Sequence, residues 1–116
     1  MTTYVVNSLI IPVDFEQYPQ VTVKIRKATV EEVRQLLSHG FVSAIGHQAT
    51  ADLLTMLIGI EIPYNRITIK AKPGDKLVHF VLRERIPEGR VLTLDELKLL
   101  PFDLAISEVL EEHGHR

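Results

Sequence analysis

The stretch from Gln48 to Ile58 constrains the fold most. Ala49, Leu53, Leu54, Met56, Leu57 and Ile58 recur at near-helical spacing, so this segment reads as a helix that belongs in a core. The aliphatic run LLTMLIGI is far too short to span a bilayer, and no membrane partner is expected. At the mouth of the helix stands Gly46-His47, where the unpaired N–H groups of a helix start collect. With 116 residues the chain reads as one domain, able to bury roughly two-thirds of the surface its unfolded form exposes. It has no cysteine, which excludes a disulfide framework, a thiolate metal site and a cysteine nucleophile.

The flanking segments supply strands. Thr3 to Ile11 reads as a buried strand closed by Pro12 and a polar loop through Pro19; it lacks a basic n-region and is broken by Asn7-Ser8, unlike a signal peptide. Val21, Val23 and Ile25 alternate with Thr22, Lys24 and Arg26, the pattern of a half-buried strand. Thr29 with Glu32 is a capping box that starts a helix running from Val30 to about His39 and stopping at Gly40. The second helix ends near Gly59. Arg66 to Lys72 alternates, KPGD is a turn and Lys76 to Arg85 alternates, so Arg66 to Arg85 reads as a hairpin. Thr93 with Glu96 repeats the capping signal for a short helix that Pro101 ends. Phe102 to Val109 reads as a strand, and residues 110–116 as a frayed tail. These elements predict one α+β domain over residues 1–116, a mixed β-sheet flanked by helices.

The formal charge is −2, with a pI near 6.2. That argues against a broad electrostatic grip on duplex DNA or an anionic membrane, yet a small anion needs only a few placed cations. Five histidines offer no HExxH pattern; His113 and His115 form a lone HxH in the tail, and His79 reads as a structural or surface histidine. The two helices of Thr29 to Ile58 resemble a helix-turn-helix, but no Lys or Arg occurs from His47 to Ile62 to seat such a unit on phosphates. His47 taken alone reads more often as a cap or a packed residue than as a catalyst. Gly46 and the helix start shift that balance, because close backbone approach, free N–H groups and the positive dipole end make a phosphate seat beside an imidazole. A hairpin turning at KPGD would bring Arg66 and Arg85 to one end of the sheet. There they serve either as phosphate ligands, for which the guanidinium fork is suited, or as rim arginines paired with Glu84, Glu88 or Asp95.

The ordered set Asn7-Ser8, SAIGH (Ser43 to His47), Asn65-Arg66, GDKL (Gly74 to Leu77), Arg85 with Glu88-Gly89, and LTLDE (Leu92 to Glu96) resembles the viral ring nucleases, type III anti-CRISPR proteins of archaeal viruses and related elements. The resemblance covers nearly the whole chain. It implies a homodimer acting in the host cytoplasm that binds cyclic tetra-adenylate and cuts it into linear di-adenylates with 2′,3′-cyclic phosphates. Neither metal nor any other cofactor is implied. His47, Arg85 and Glu88 would be catalytic, while Asn7, Ser8, Gly46 and Arg66 would bind substrate. Val81 stands where the family commonly carries glutamine, which implies the loss of one polar ligand contact. Two other readings are a small dimeric DNA-binding regulator and a cyclic-oligoadenylate sponge without turnover.

Overall fold

Extended segments leave a row of N–H and C=O groups that must find lateral partners. In the computed structural model, which describes residues 1–84, 93, 95–96 and 99–111, five strands solve this together. They are β1 (Thr3–Val6), β2 (Val21–Lys27), β3 (Val42–Ser43), β4 (Lys76–Leu82) and β5 (Phe102–Glu111), in sheet order β2-β5-β4-β1-β3. The sheet is mixed. β1 runs parallel to β4, from Thr3 beside Lys76 to Val6 beside His79, and parallel to β3, with Tyr4 beside Val42. β5 is antiparallel to both β4 and β2. Helices α1 (Val30–Leu37) and α2 (Gln48–Ile58) complete the α+β domain. β3, α2 and β4 form a split β-α-β unit with β1 between its strands.

Each sheet face is sealed by different material. On one face Val5, Val78, Phe80, Leu104 and Ile106 meet Val33 and Leu37 of α1 and Leu53, Leu54 and Ile58 of α2. Each such side chain contributes about 1.5–3 kcal/mol by leaving water. On the other face Val6, Leu77 and Val109 are covered by Ile69 and Ala71.

That covering segment corrects the expected hairpin. Residues 66–72 form no strand; they cross the sheet face, and Ala71 bridges Val13, its N–H donating to the Pro12 carbonyl at 2.7 Å. Period-two alternation marks an extended chain buried on one side, whether or not it pairs. The KPGD turn is present, with Gly74 at φ +97°, but it delivers the chain into β4, whose neighbours are β1 and β5. β1 also ends earlier than expected: beyond Val6 the chain leaves the sheet, and Leu9 and Ile10 are 55% and 73% exposed. β5 continues through Leu110 and Glu111, where a tail was expected; His113 and His115 lie outside the described residues.

The helix signals hold. Thr29 Oγ1 accepts from the Glu32 N–H and Glu32 Oε1 from the Thr29 N–H, both at 3.1 Å. Thr93 and Glu96 exchange the same pair of bonds at 3.2 Å. α2 ends on Gly59 in the left-handed region, φ +80°, which a residue with a Cβ adopts only at a cost. The helix pair does not form a helix-turn-helix, because the chain between α1 and α2 enters the sheet as β3 instead of making a tight turn.

Buried Asp75 closes the turn before β4: its carboxylate accepts from the Thr2 N–H at 2.9 Å and the Lys72 N–H at 3.1 Å. Asp75→Ala strands both donors, and urea titration should show a loss of roughly 2–4 kcal/mol. A loss below about 0.5 kcal/mol, the range of an ordinary surface change, would show that the turn does not depend on this carboxylate.

Candidate functional site

Parallel strands bring their carboxyl ends to one edge, the usual location of ligands in such sheets. Here β1 delivers Asn7-Ser8, β3 delivers Ala44 to His47, and β4 delivers Arg83-Glu84. β1 and β3 are neighbours, and the Ala44 N–H still donates to the Val5 carbonyl at 2.8 Å, so Asn7-Ser8 and Gly46-His47 emerge side by side.

His47 is the N-cap residue of α2, with extended backbone (φ −142°, ψ 118°) and no side-chain cap bond. The first bond of the helix runs from the Ala51 N–H to the His47 carbonyl, which leaves the preceding amides without helical partners. No acidic residue occupies the first turn, and Gln48 turns its side chain to Asp52 at 2.9 Å. The imidazole of His47 is exposed beside this positive end.

Arg66 lies against the same place. A Cβ added to Gly46 would stand 3.2 Å from Arg66 Cγ, and Gly46 does not have a positive φ. What favours glycine here is the close approach of the arginine stem and not backbone strain. Asn65 sets this placement: its N–H donates to the Ile45 carbonyl at 2.9 Å and its Nδ2 to the Ser43 carbonyl at 2.7 Å. Buried Ser43 donates through Oγ to the Pro63 carbonyl at 2.6 Å. Among the described residues no carboxylate pairs with Arg66. Ser43 and Asn65 are positioning residues that residue chemistry alone did not single out; the only signal was their place in the ordered set.

The structure thus brings together Asn7, Ser8, Gly46, His47 and Arg66. Arg85 and Glu88 lie outside the described residues, and the hairpin that was to pair Arg85 with Arg66 does not form. Near the exit of β4, Val81 is half-buried beside Asp103. Arg83 clamps Asp103, Nη2 to Oδ1 at 2.6 Å and Nε to both oxygens at 3.2 Å. The hydrogen bonds from Arg83 hold the Asp103 carboxyl below its ordinary range. Among the described residues no group of three metal-ligating side chains occurs.

His79 is fully buried on β4, in keeping with a structural histidine, yet it reaches the site. Its Nδ1 lies 2.7 Å from the Ser8 carbonyl and its Nε2 2.8 Å from Ser107 Oγ. A carbonyl only accepts, so Nδ1 carries the proton and Nε2 accepts from the Ser107 hydroxyl. Burial pushes the imidazole pKa below its ordinary value, against the opposing effect of the Ser8 bond.

Comparisons with known proteins agree with this architecture. The family model described as STIV B116-like matches residues 3–104. Protein 26 of Sulfolobus islandicus filamentous virus is 37% identical over 114 residues, 96% of this chain and 95% of that protein. ORF117 of Acidianus two-tailed virus is 35% identical, covering 87% of each chain. YddF of Bacillus subtilis is 41% identical over 65% of this chain and 72% of its own. The solved structure of B116 of Sulfolobus turreted icosahedral virus superposes with a TM-score of 0.73 at 24% identity, over 93% of this chain and 99% of that one; that likeness speaks for the fold. The chain belongs to the STIV B116-like family.

Because the folded pKa of His79 lies below the ordinary histidine value of 6.5, the unfolded chain takes up a proton that the folded chain refuses as pH falls through that value. The stability contributed by neutral His79 is present above pH 6.5 and is lost below it, down to the folded pKa. The melting temperature should fall between pH 7 and pH 5, and His79→Gln should flatten that slope while lowering stability at pH 7. Equal slopes in the two proteins would remove His79 as the cause.

Proposed function

We propose that this member of the STIV B116-like family is a metal-independent ring nuclease that cleaves cyclic tetra-adenylate and so suppresses type III CRISPR defence in the host cytoplasm. The observation that carries the reading is the convergence of Gly46, His47 and Arg66 at the uncapped start of α2, beside the Asn7-Ser8 exit of β1. Free amides, a helix dipole and a guanidinium unpaired among the described residues are what a phosphodiester requires, and an exposed imidazole stands within the same cluster.

In the proposed reaction a ribose 2′-oxygen attacks the adjacent phosphorus, the P–O2′ bond forms, and the P–O5′ bond breaks to leave a 2′,3′-cyclic phosphate. His47 as imidazolium gives its proton to the departing 5′-oxygen. The amides at the start of α2 and Arg66 hold the phosphate, and Arg85 stabilises the charge that develops on it. Glu88 takes the proton of the attacking hydroxyl, or it orients a catalytic group while water takes that proton. Two cuts in the ring release two linear di-adenylates. A ring of four identical nucleotides is matched by two copies of one site, which supports a homodimer with one ring across its two-fold axis. A DNA-binding reading has less support: α2 carries no cation, its apolar side chains are committed to the core, and the helix pair lacks helix-turn-helix geometry.

His47→Ala should lower single-turnover cleavage by about 10²- to 10⁴-fold while ring affinity stays within about tenfold. Undiminished cleavage would remove His47 from the mechanism, and ring binding without cleavage by the native protein would favour a sponge. EDTA should leave activity intact; loss of activity that added metal restores would overturn the metal-independent chemistry. Calorimetry should give one ring per dimer, and the ring should raise the melting temperature where short duplex DNA at physiological salt does not. The reverse response would favour the DNA-binding regulator.

A further inference from the structure

Resting on the ring-nuclease reading, we infer that His79 is a positioning residue that fixes the Asn7-Ser8 turn for ligand binding. Position 79 lies in the interior of β4, between Leu77 and Val81 on the same sheet face, with partners on both sides. An aliphatic side chain there would bury well without the desolvation that an imidazole suffers. What the imidazole adds is a directed N–H. Its Nδ1–H meets the carbonyl of Ser8, the second residue past β1, at 2.7 Å.

The turn has little else to hold it. Leu9 and Ile10, which follow it, are exposed, so the turn is not anchored by burying its own apolar side chains. Among the described residues no other side chain hydrogen-bonds to Asn7, Ser8 or Leu9. The imidazole is in turn set by Ser107, itself fully buried on β5. Because Nε2 accepts from the Ser107 hydroxyl, the neutral ring is held in the tautomer that donates to Ser8. A hydrogen-bond chain therefore runs from β5 through β4 to the turn beside His47, and it fixes the direction in which Asn7 and the Ser8 hydroxyl face the ligand.

The two ring nitrogens can be tested separately. Asparagine places its amide nitrogen where Nδ1 stands and keeps a donor for the Ser8 carbonyl. Glutamine reaches the position of Nε2 and keeps only the Ser107 contact. Both variants lose ring volume, so both should be destabilised. His79→Asn should bind cyclic tetra-adenylate within about threefold of the native protein and His79→Gln about tenfold more weakly, the size of one lost hydrogen bond. Equal affinities for the two variants would overturn the positioning role and leave a core residue. The native protein supplies a check that needs no variant: nitrogen-15 spectra should show His79 as the Nδ1–H tautomer, and an Nε2–H tautomer would overturn the proposal. The Ser8 carbonyl carbon resonance, read without ligand, should shift in His79→Gln and hold in His79→Asn. If the native protein binds no ring, the ring-nuclease reading fails by itself, while an unmoved Ser8 resonance in His79→Gln would sink the positioning of the turn.

Discussion

The burial of α2 between β3 and β4 is the constraint on which the rest depends. Leu53, Leu54 and Ile58 are sealed against Val5, Val78 and Phe80, and the helix reaches that place only if the strands before and after it run the same way. With β1 between them, three adjacent strands point their carboxyl ends to one edge. The start of α2 necessarily lies at that edge too, because it follows β3 after four residues, Ala44 to His47. The apolar face of one helix therefore decides where the polar residues gather.

At that edge few groups produce the local chemistry. The chain is net acidic, yet around Gly46 the nearby charge is positive: a helix end without acidic residues in its first turn and an arginine drawn close by a missing Cβ. Arg66 is not steered by an ion pair of its own. Its backbone is stitched to residues 43–45 by Asn65 and Ser43, so its guanidinium stays available while its stem is fixed. This is a division of labour between neighbours in sequence, in which the Asn65 amide holds the backbone and the Arg66 guanidinium carries no ion pair among the described residues.

Both capping boxes, the end of α2 at Gly59, and strands β2, β4 and β5 were legible because each is written in local chemistry: a hydroxyl three residues before a carboxylate, a φ that favours glycine, a strict alternation of side chains. Strand partners were not. Residues 66–72 alternate as cleanly as β2 does, yet β2 pairs with β5 while residues 66–72 cover a sheet face, since alternation reports one-sided burial and says nothing of what lies alongside. The placement of the candidate residues was legible where they sit at element ends, as Asn7-Ser8 and Gly46-His47 do. It was obscure where geometry spans the chain. Ser43 and Asn65 carry no chemistry that marks them, and a histidine amid Leu77, Val78, Phe80 and Val81 reveals its role only when Ser8 and Ser107 come beside it.

The position of β1 has a consequence in time. It precedes both of its neighbours, β3 and β4, in the chain, and β4 begins only at Lys76. Until then the strand has no partner on that side, and the Ser8 carbonyl has no imidazole to meet. Contacts of such sequence separation slow folding, because a long loop must close before they stabilise anything. The edge that gathers Asn7, His47 and Arg66 is therefore complete only once β4 has been added beside β1.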